Sequence, residues 1–232
     1  MLKLTYAAEK VRCTSFAMST EETRYYLNGV CFNQCGTHVE TAATDGHRLA
    51  VWVDDDAVMF GATQIILPIS KALKTALKAK KNEERYLVVT GSGNVADFHS
   101  VQVINNAHGY TPDKGEAFHE FVLGLAADPS YEVYSEKVKL IDGTFPDYRR
   151  VIPQTVDFKP AAFSAKYVAD FAEICAGKPF SILTNDLAPA LVKTEDTNFL
   201  GVLMPMRTGS NAINPALPGW LNSSASDLKA AE

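Results

Sequence analysis

Apolar positions along this chain alternate between a strand-like period of two and a helical period near 3.6, and the alternation recurs in the same order. The opening predicts a short strand, Leu2 to Tyr6, and a short helix ending near Ser19. Arg24 to Phe32, RYYLNGVCF, has the aromatic and β-branched content of a strand. A polar turn with Gly36 follows, then two extended stretches, HVETAATDG and RLAVWV, broken at Asp45-Gly46, a strong turn signal. After Pro68 the pattern becomes helical: Ser70 is placed to cap KALKTALKAKK, and Ile69, Leu73, Ala76 and Leu77 share one face. RYLVVTGSG and VADFHSVQVIN then return to strand character, so a strand, helix and strands order occurs twice.

Residues from about Asn105 to Ser130 interrupt the repeat with Gly109, Pro112, Gly115 and Pro129 around an apolar FVLGLA, and read as an insertion between strands. Strand character resumes at YEVYSEKVKLI. A third unit begins near Phe163. Ser164 can cap a helix in which Tyr167, Val168, Phe171, Ile174 and Cys175 form an apolar stripe, with Gly177 as its terminator. FSILT, ALVKT and FLGVLMPM supply its strands, and from Thr208 the Asn, Ser, Pro and Ala content reads as a tail with one apolar island, ALPGWL.

At 232 residues, 47% apolar and 21% charged, the composition is that of an ordinary soluble globular protein. No apolar run approaches the roughly 20 residues a membrane helix needs, and MLKLTYAAEK lacks the features of a secretory signal, so a cytoplasmic location is expected. The net charge of −5 excludes indiscriminate attraction to nucleic acid and leaves DNA contact to a local basic stripe. Cys13, Cys31, Cys35 and Cys175 are expected to be reduced. Cys31 and Cys35 have only His38 nearby, without a second ligand pair at zinc spacing, so neither a metal nor another cofactor is expected.

Three segments carry a family resemblance: RYYLNG with ATDGHRLAV (Ala43 to Val51), KLIDGTFPDYRRVIP (Lys139 to Pro153) and VLMPMR (Val202 to Arg207). In this order they resemble the β subunit of bacterial DNA polymerase III, the sliding clamp. The resemblance implies an α+β DNA-clamp fold of repeated strand-helix-strands units, with antiparallel sheets outside and helices on one face. It implies a clamp domain over 1–153 like the family's middle domain, half a domain over 154–207 like the second half of its C-terminal domain, and a tail over 208–232. On that reading the chain is a shortened relative, without the family's first domain or the first half of its third.

By motif match the resemblance also implies a pocket for short linear peptides of polymerases, the clamp loader or repair proteins. Its residues would be Leu27, Thr44, Gly46, His47, Arg48, Leu49, Pro146, Arg150, Val151, Tyr167, Val202, Met204, Pro205, Met206 and Arg207. The leucines, valines and methionines offer an adaptable apolar surface, and the arginines and His47 supply donors. Taken singly, each has a plainer role: Asp45-Gly46 as a hairpin turn, Met204 to Met206 as strand-end core, Arg149 and Arg150 as partners of Asp147. Lys71, Lys74, Lys78 and Lys81, spaced for one helical face, are the candidates for phosphate contact with duplex DNA, or else a solvated helix face.

The function expected is a non-enzymatic replication factor, with homo-oligomers as an option if exposed sheet edges pair. The alternative is an accessory or decoy protein that forms no ring and competes for clamp-binding partners. An apolar island, Leu217, Trp220 and Leu221, could serve either as a tethered peptide. A hydrolase would have to rest on His47 with Asp45 or Asp147 with Tyr148, and neither pair has a nucleophile turn, a phosphate loop or metal spacing beside it. TGSGN around Gly91 and Gly93 lacks a nucleotide-binding pattern.

Overall fold

A computed structural model describes residues 1–106, 116–155, 161–185 and 188–207. The tail after Arg207, with Leu217, Trp220 and Leu221, lies outside the described residues.

The first unit runs β1 (Leu2–Ala7), α1 (Ala8–Thr14), β2 (Gly29–Cys35), β3 (His38–Thr44) and β4 (Arg48–Asp54). A short β5 (Val58–Phe60) leads to the second unit: β6 (Gln64–Pro68), α2 (Lys71–Leu77), β7 (Arg85–Gly91), β8 (Phe98–Asn105) and β9 (Glu132–Lys139), with α3 (Glu116–Ala127) between the last two strands. The third comprises α4 (Ala165–Ile174), β10 (Ser181–Asn185), β11 (Ala188–Lys193) and β12 (Phe199–Leu203).

The units interlock. β1 joins the second unit's strands in a five-stranded sheet, β5-β1-β7-β8-β9, while β6 crosses to the first unit in a seven-stranded sheet, β10-β11-β12-β4-β3-β2-β6. Every strand pairing is antiparallel, giving the expected α+β architecture. Strand alternation sends Leu2, Leu4, Tyr6, Leu87 and Val89 of one sheet and Val30, Phe32, Val39 and Leu67 of the other into one core with Leu73 and Leu77 of α2. Ser70 caps α2 as expected, its hydroxyl accepting from Leu73 N–H at 3.0 Å. α4 buries Phe171 and Ile174 against Ala50, Trp52 and Leu203. Gly201 of β12 makes room for this packing, since a β carbon there would stand 2.7 Å from the Phe171 ring.

Several expectations need correction. Residues 22–27 form 3-10 turns rather than a strand, held by Asn28 Nδ2 donating to the Glu21 carbonyl at 3.1 Å, and the strand begins only at Gly29. The edge strands β5 and β6 had no clear sequence signal. α2 ends at Leu77, not at Lys81, because the apolar face stops there and the Arg85 guanidinium claims the carbonyls of Ala76 and Lys78 at 2.7 and 2.8 Å. The insertion contains α3, whose Phe118 and Val122 cover Val88 and Ile104 on the sheet face opposite α1 and α2. α3 is therefore an exception to helices on one face. Among the described residues no helix is long and apolar enough to cross a membrane.

Leu73 is fully buried, so Leu73→Ala should lower unfolding free energy by about 2–5 kcal/mol in urea titrations. Ser70→Ala, which removes only the cap, should cost about 1 kcal/mol.

Candidate functional site

The seam between the first and third units is the β4–β12 ladder, in which Leu49 faces Val202 and Arg48 faces Leu203. Leu49 and Val202 point away from the helices and join Leu27, Phe145 and Tyr148 in a separate apolar cluster. A cavity of about 270 Å³ opens over this cluster. Leu27, Leu49 and Val202 make its buried floor, and Val151 and Met204, both exposed, stand at its rim. Thr44, Gly46, Arg48 and Pro146 complete the expected residues that reach it.

Local geometry explains these placements. Gly46 has φ +89°, and a β carbon there would lie 2.6 Å from Arg24 Nη1, so the turn needs glycine for both conformation and clearance. Thr44 Oγ1 accepts from Gly46 N–H at 3.0 Å and donates to the Arg48 carbonyl at 2.7 Å. The far wall is the 145–151 segment, where Asp147 accepts from Arg149 N–H at 3.2 Å. Tyr148 is buried there and donates its phenol to Glu40 of β3. Burial, followed by that carboxylate, pushes the Tyr148 phenol well above its ordinary range. Burial works against ionisation of Glu40, but hydrogen bonds and charge from Tyr148, Arg149 and His38 outweigh it and hold the carboxyl below its usual range.

His47 and Tyr167 belong to a neighbouring polar hollow of about 220 Å³ that shares Arg48 with the first. The imidazole stacks on the Tyr167 ring at 5.7 Å, and the Arg48 guanidinium lies 4.9 Å from the centre of that ring. Arg48 is 8% exposed, pairs with Asp45 at 3.3 Å and contacts Asp170 of α4. Partial burial, then Asp45, raises the Tyr167 phenol.

Arg150, Pro205, Met206 and Arg207 line neither cavity. Arg150 is drawn back to Asp147 at 3.0 Å, and Met206 N–H donates to the Ala162 carbonyl at 2.8 Å. Four wall residues were absent from the expected pocket set: Arg24, Tyr26, Asp147 and Tyr148. Tyr26 was hidden by reading its segment as a strand. Neither proposed acid–base pair forms a dyad. Asp45 accepts from the backbone N–H groups of His47 and Arg48 at 2.9 and 3.0 Å, and Tyr148 turns to Glu40.

The lysine stripe is also altered. Lys71 and Lys78 are exposed, but Lys78 is the residue after α2 and Lys81 lies in a turn, so the four do not share a helical face. Lys74 turns inward, with its ammonium 3.3 Å from the Phe16 ring centre. Desolvation, then the charges of Arg12 and Arg48, push its pKa down to about 8.

With this geometry in view, comparison with known proteins is informative. Residues 2–106 match the family described as DNA polymerase III beta subunit, central domain. A Beta sliding clamp from Vibrio cholerae is 32% identical over 141 residues, which is 61% of this chain and 30% of that protein. One from Caulobacter vibrioides is 38% identical over 148 residues, 61% of this chain and 31% of its own length. The match thus spans about a third of these relatives. Among solved structures, a sliding clamp from Bartonella birtlesii bound to griselimycin superposes with a TM-score of 0.61 at 22% identity, covering 89% of this chain and 66% of that one. A clamp from Bacillus subtilis gives a TM-score of 0.60 at 18% identity, covering 89% and 64%. These structural likenesses establish the shared fold.

Because Lys74 holds its proton less tightly when folded (about 8) than its ordinary 10.5, the unfolded chain binds more protons between those values. Its contribution to stability therefore rises with pH across that window and is constant below it. Lys74→Met should be more stable than the parent at pH 7, with the gap narrowing toward pH 10.5 in urea titrations at stepped pH.

Proposed function

We propose that this chain, whose residues 2–106 match the central domain of the DNA polymerase III beta subunit, is a sliding-clamp relative that acts as a non-catalytic replication factor, with a β4–β12 cavity that seats short linear peptides. The partners would be DNA polymerases, clamp-loader subunits or repair proteins that present an aliphatic and an aromatic anchor. The observation that carries this reading is the cavity itself. Segments far apart in sequence, around Leu27, Thr44 to Leu49, Pro146 to Val151 and Val202 to Met204, converge on one apolar floor with an exposed rim. A floor of buried Leu and Val beneath Met204 and Val151 suits apolar anchors, and the adjoining Arg48, His47 and Tyr167 hollow suits polar groups beside them.

Duplex DNA is the lesser part of the proposal. Phosphate contact would fall to Lys71, Lys78 and Lys81, since Lys74 lies against Phe16, and the nearby α4 presents exposed Glu173. This distribution favours the accessory reading, in which the chain engages clamp-binding partners without encircling DNA. Self-association would use sheet edges, and β5, β9, β10 and β6 each pair on one side only among the described residues.

Fluorescence anisotropy with a labelled clamp-binding peptide of a polymerase tests the main reading. Micromolar binding is expected, weakened about tenfold or more by Val151→Asp and by Met204→Asp, both at exposed positions where folding should survive. Absence of binding at high micromolar peptide would defeat the proposal. For DNA, the accessory reading expects no retention on circular duplex at physiological salt, and salt-sensitive retention lost on joint Lys71→Ala and Lys78→Ala replacement would reverse it.

A further inference from the structure

The tip of the β2–β3 hairpin brings together a side-chain set that the peptide cavity does not use. Cys35 pairs directly with His38 across the Gly36-Thr37 turn, and Asn33 pairs with Glu40. Alternation along each strand then puts Cys35, His38 and Glu40 on the same face of the hairpin. Their ligand atoms all lie within 4.8 Å of one another, and all three side chains are half-buried. His38 Nε2 stands 3.4 Å from Oε1 of Glu40. We propose that Cys35, His38 and Glu40 form a site for a zinc-like divalent cation, with solvent water completing a four-coordinate shell.

The chemistry of the donors selects the cation class. A thiolate, an imidazole and one carboxylate form a borderline-soft set suited to zinc or cobalt, whereas magnesium and calcium call for oxygen ligands alone. Zinc bonds of about 2.0–2.3 Å hold neighbouring ligand atoms roughly 3.5 Å apart, within reach of small side-chain rotations from the observed spacing. On binding, the cation replaces the hydrogen bond between His38 and Glu40, and the Cys35 thiol proton leaves to solvent.

Glu40 is already oriented for this role. Its Oε2 is held by the Tyr148 phenol and by Arg149 Nη2, the latter at 2.6 Å, leaving Oε1 directed at His38. Outer hydrogen bonds of this kind fix a ligating carboxylate. Arg149 also opposes the cation, because the same Nη2 stands 3.5 Å from Cys35 Sγ. Cys13, Cys31 and Cys175 are buried, with thiols pushed up to about 12 chiefly by burial, so Cys35 is the accessible thiol.

The test is titration of the full reduced chain with cobalt(II), followed by displacement with zinc. The expected result is one cobalt per chain with a thiolate-to-cobalt charge-transfer absorption, lost in Cys35→Ser and weakened about tenfold or more in His38→Ala and Glu40→Gln. Thermal melts of the cobalt-free variants check folding, Glu40→Gln above all, since Glu40 also holds Tyr148 and Arg149. Cobalt binding without the thiolate band, a band that persists in Cys35→Ser, or equal affinity in the His38 and Glu40 variants would overturn the proposal. Peptide affinity is not needed as a readout, so failure here leaves the cavity reading intact.

Discussion

The β4–β12 ladder is the constraint on which the rest of the arrangement depends. Without it, β4 would be the open edge of a four-stranded sheet, and β10, β11 and β12 would have no sheet to extend. Backbone donors and acceptors of both strands require partners once buried, so the ladder fixes register as well as contact. That register sets Leu49 against Val202 on one face, and on the other lets Gly201 receive Phe171 of α4. A slip of one residue would exchange these faces, placing Gly201 at the cavity floor and a branched side chain under the Phe171 ring. Arg48 reinforces the seam where β4 begins. Its nearly buried charge is balanced by Asp45 from the turn and Asp170 from α4, so the helix is tied to the strand by charge as well as by packing.

The legible parts of the sequence were those in which local chemistry and tertiary packing agree. Ser70 capping α2 and the burial of Leu73 and Leu77 followed from helical spacing, and the Asp45-Gly46 turn from its residue types. The illegible parts were those decided by distant partners. Residues 24–27 look extended because Tyr25 and Tyr26 favour strands, yet they wind into a 3-10 turn that sets Leu27 on the floor. The end of α2 is set by Arg85, which comes from the following strand. For the site, motif matching found the floor and rim but not Tyr148, whose place depends on Glu40 some hundred positions earlier.

Charge on the helix layer shows the same dependence. Four lysines at helical spacing are usually a solvated face. Here the neighbouring helices remove one of them: α1 brings Arg12, paired with Glu9 and Glu173, and the turn after it brings Phe16, on which the Lys74 ammonium rests. Burial of that cation between two arginines costs free energy, yet its four-carbon stem covers apolar surface that a shorter side chain would expose. A basic stripe in sequence is therefore not a basic stripe in space: of the four lysines, Lys71, Lys78 and Lys81 stay exposed and Lys74 does not.

The outer face of the seven-stranded sheet carries the proposed peptide cavity and the proposed cation site side by side. Strand alternation carries Cys35, His38 and Glu40 onto the face that also bears Leu49 and Val202, and the 145–151 segment lies between them. Glu40 is common to both. One of its oxygens holds Tyr148 in the cavity wall, while the other faces His38. A ligand that pressed on Tyr148 and a cation that drew on Glu40 would act on the same carboxylate, so the two proposed sites would be energetically linked. The sign follows from Arg149. A cation at the hairpin repels the guanidinium that now braces Glu40 and weakens one of the wall's outer supports. By the same linkage, a ligand that needs this support intact would disfavour the cation.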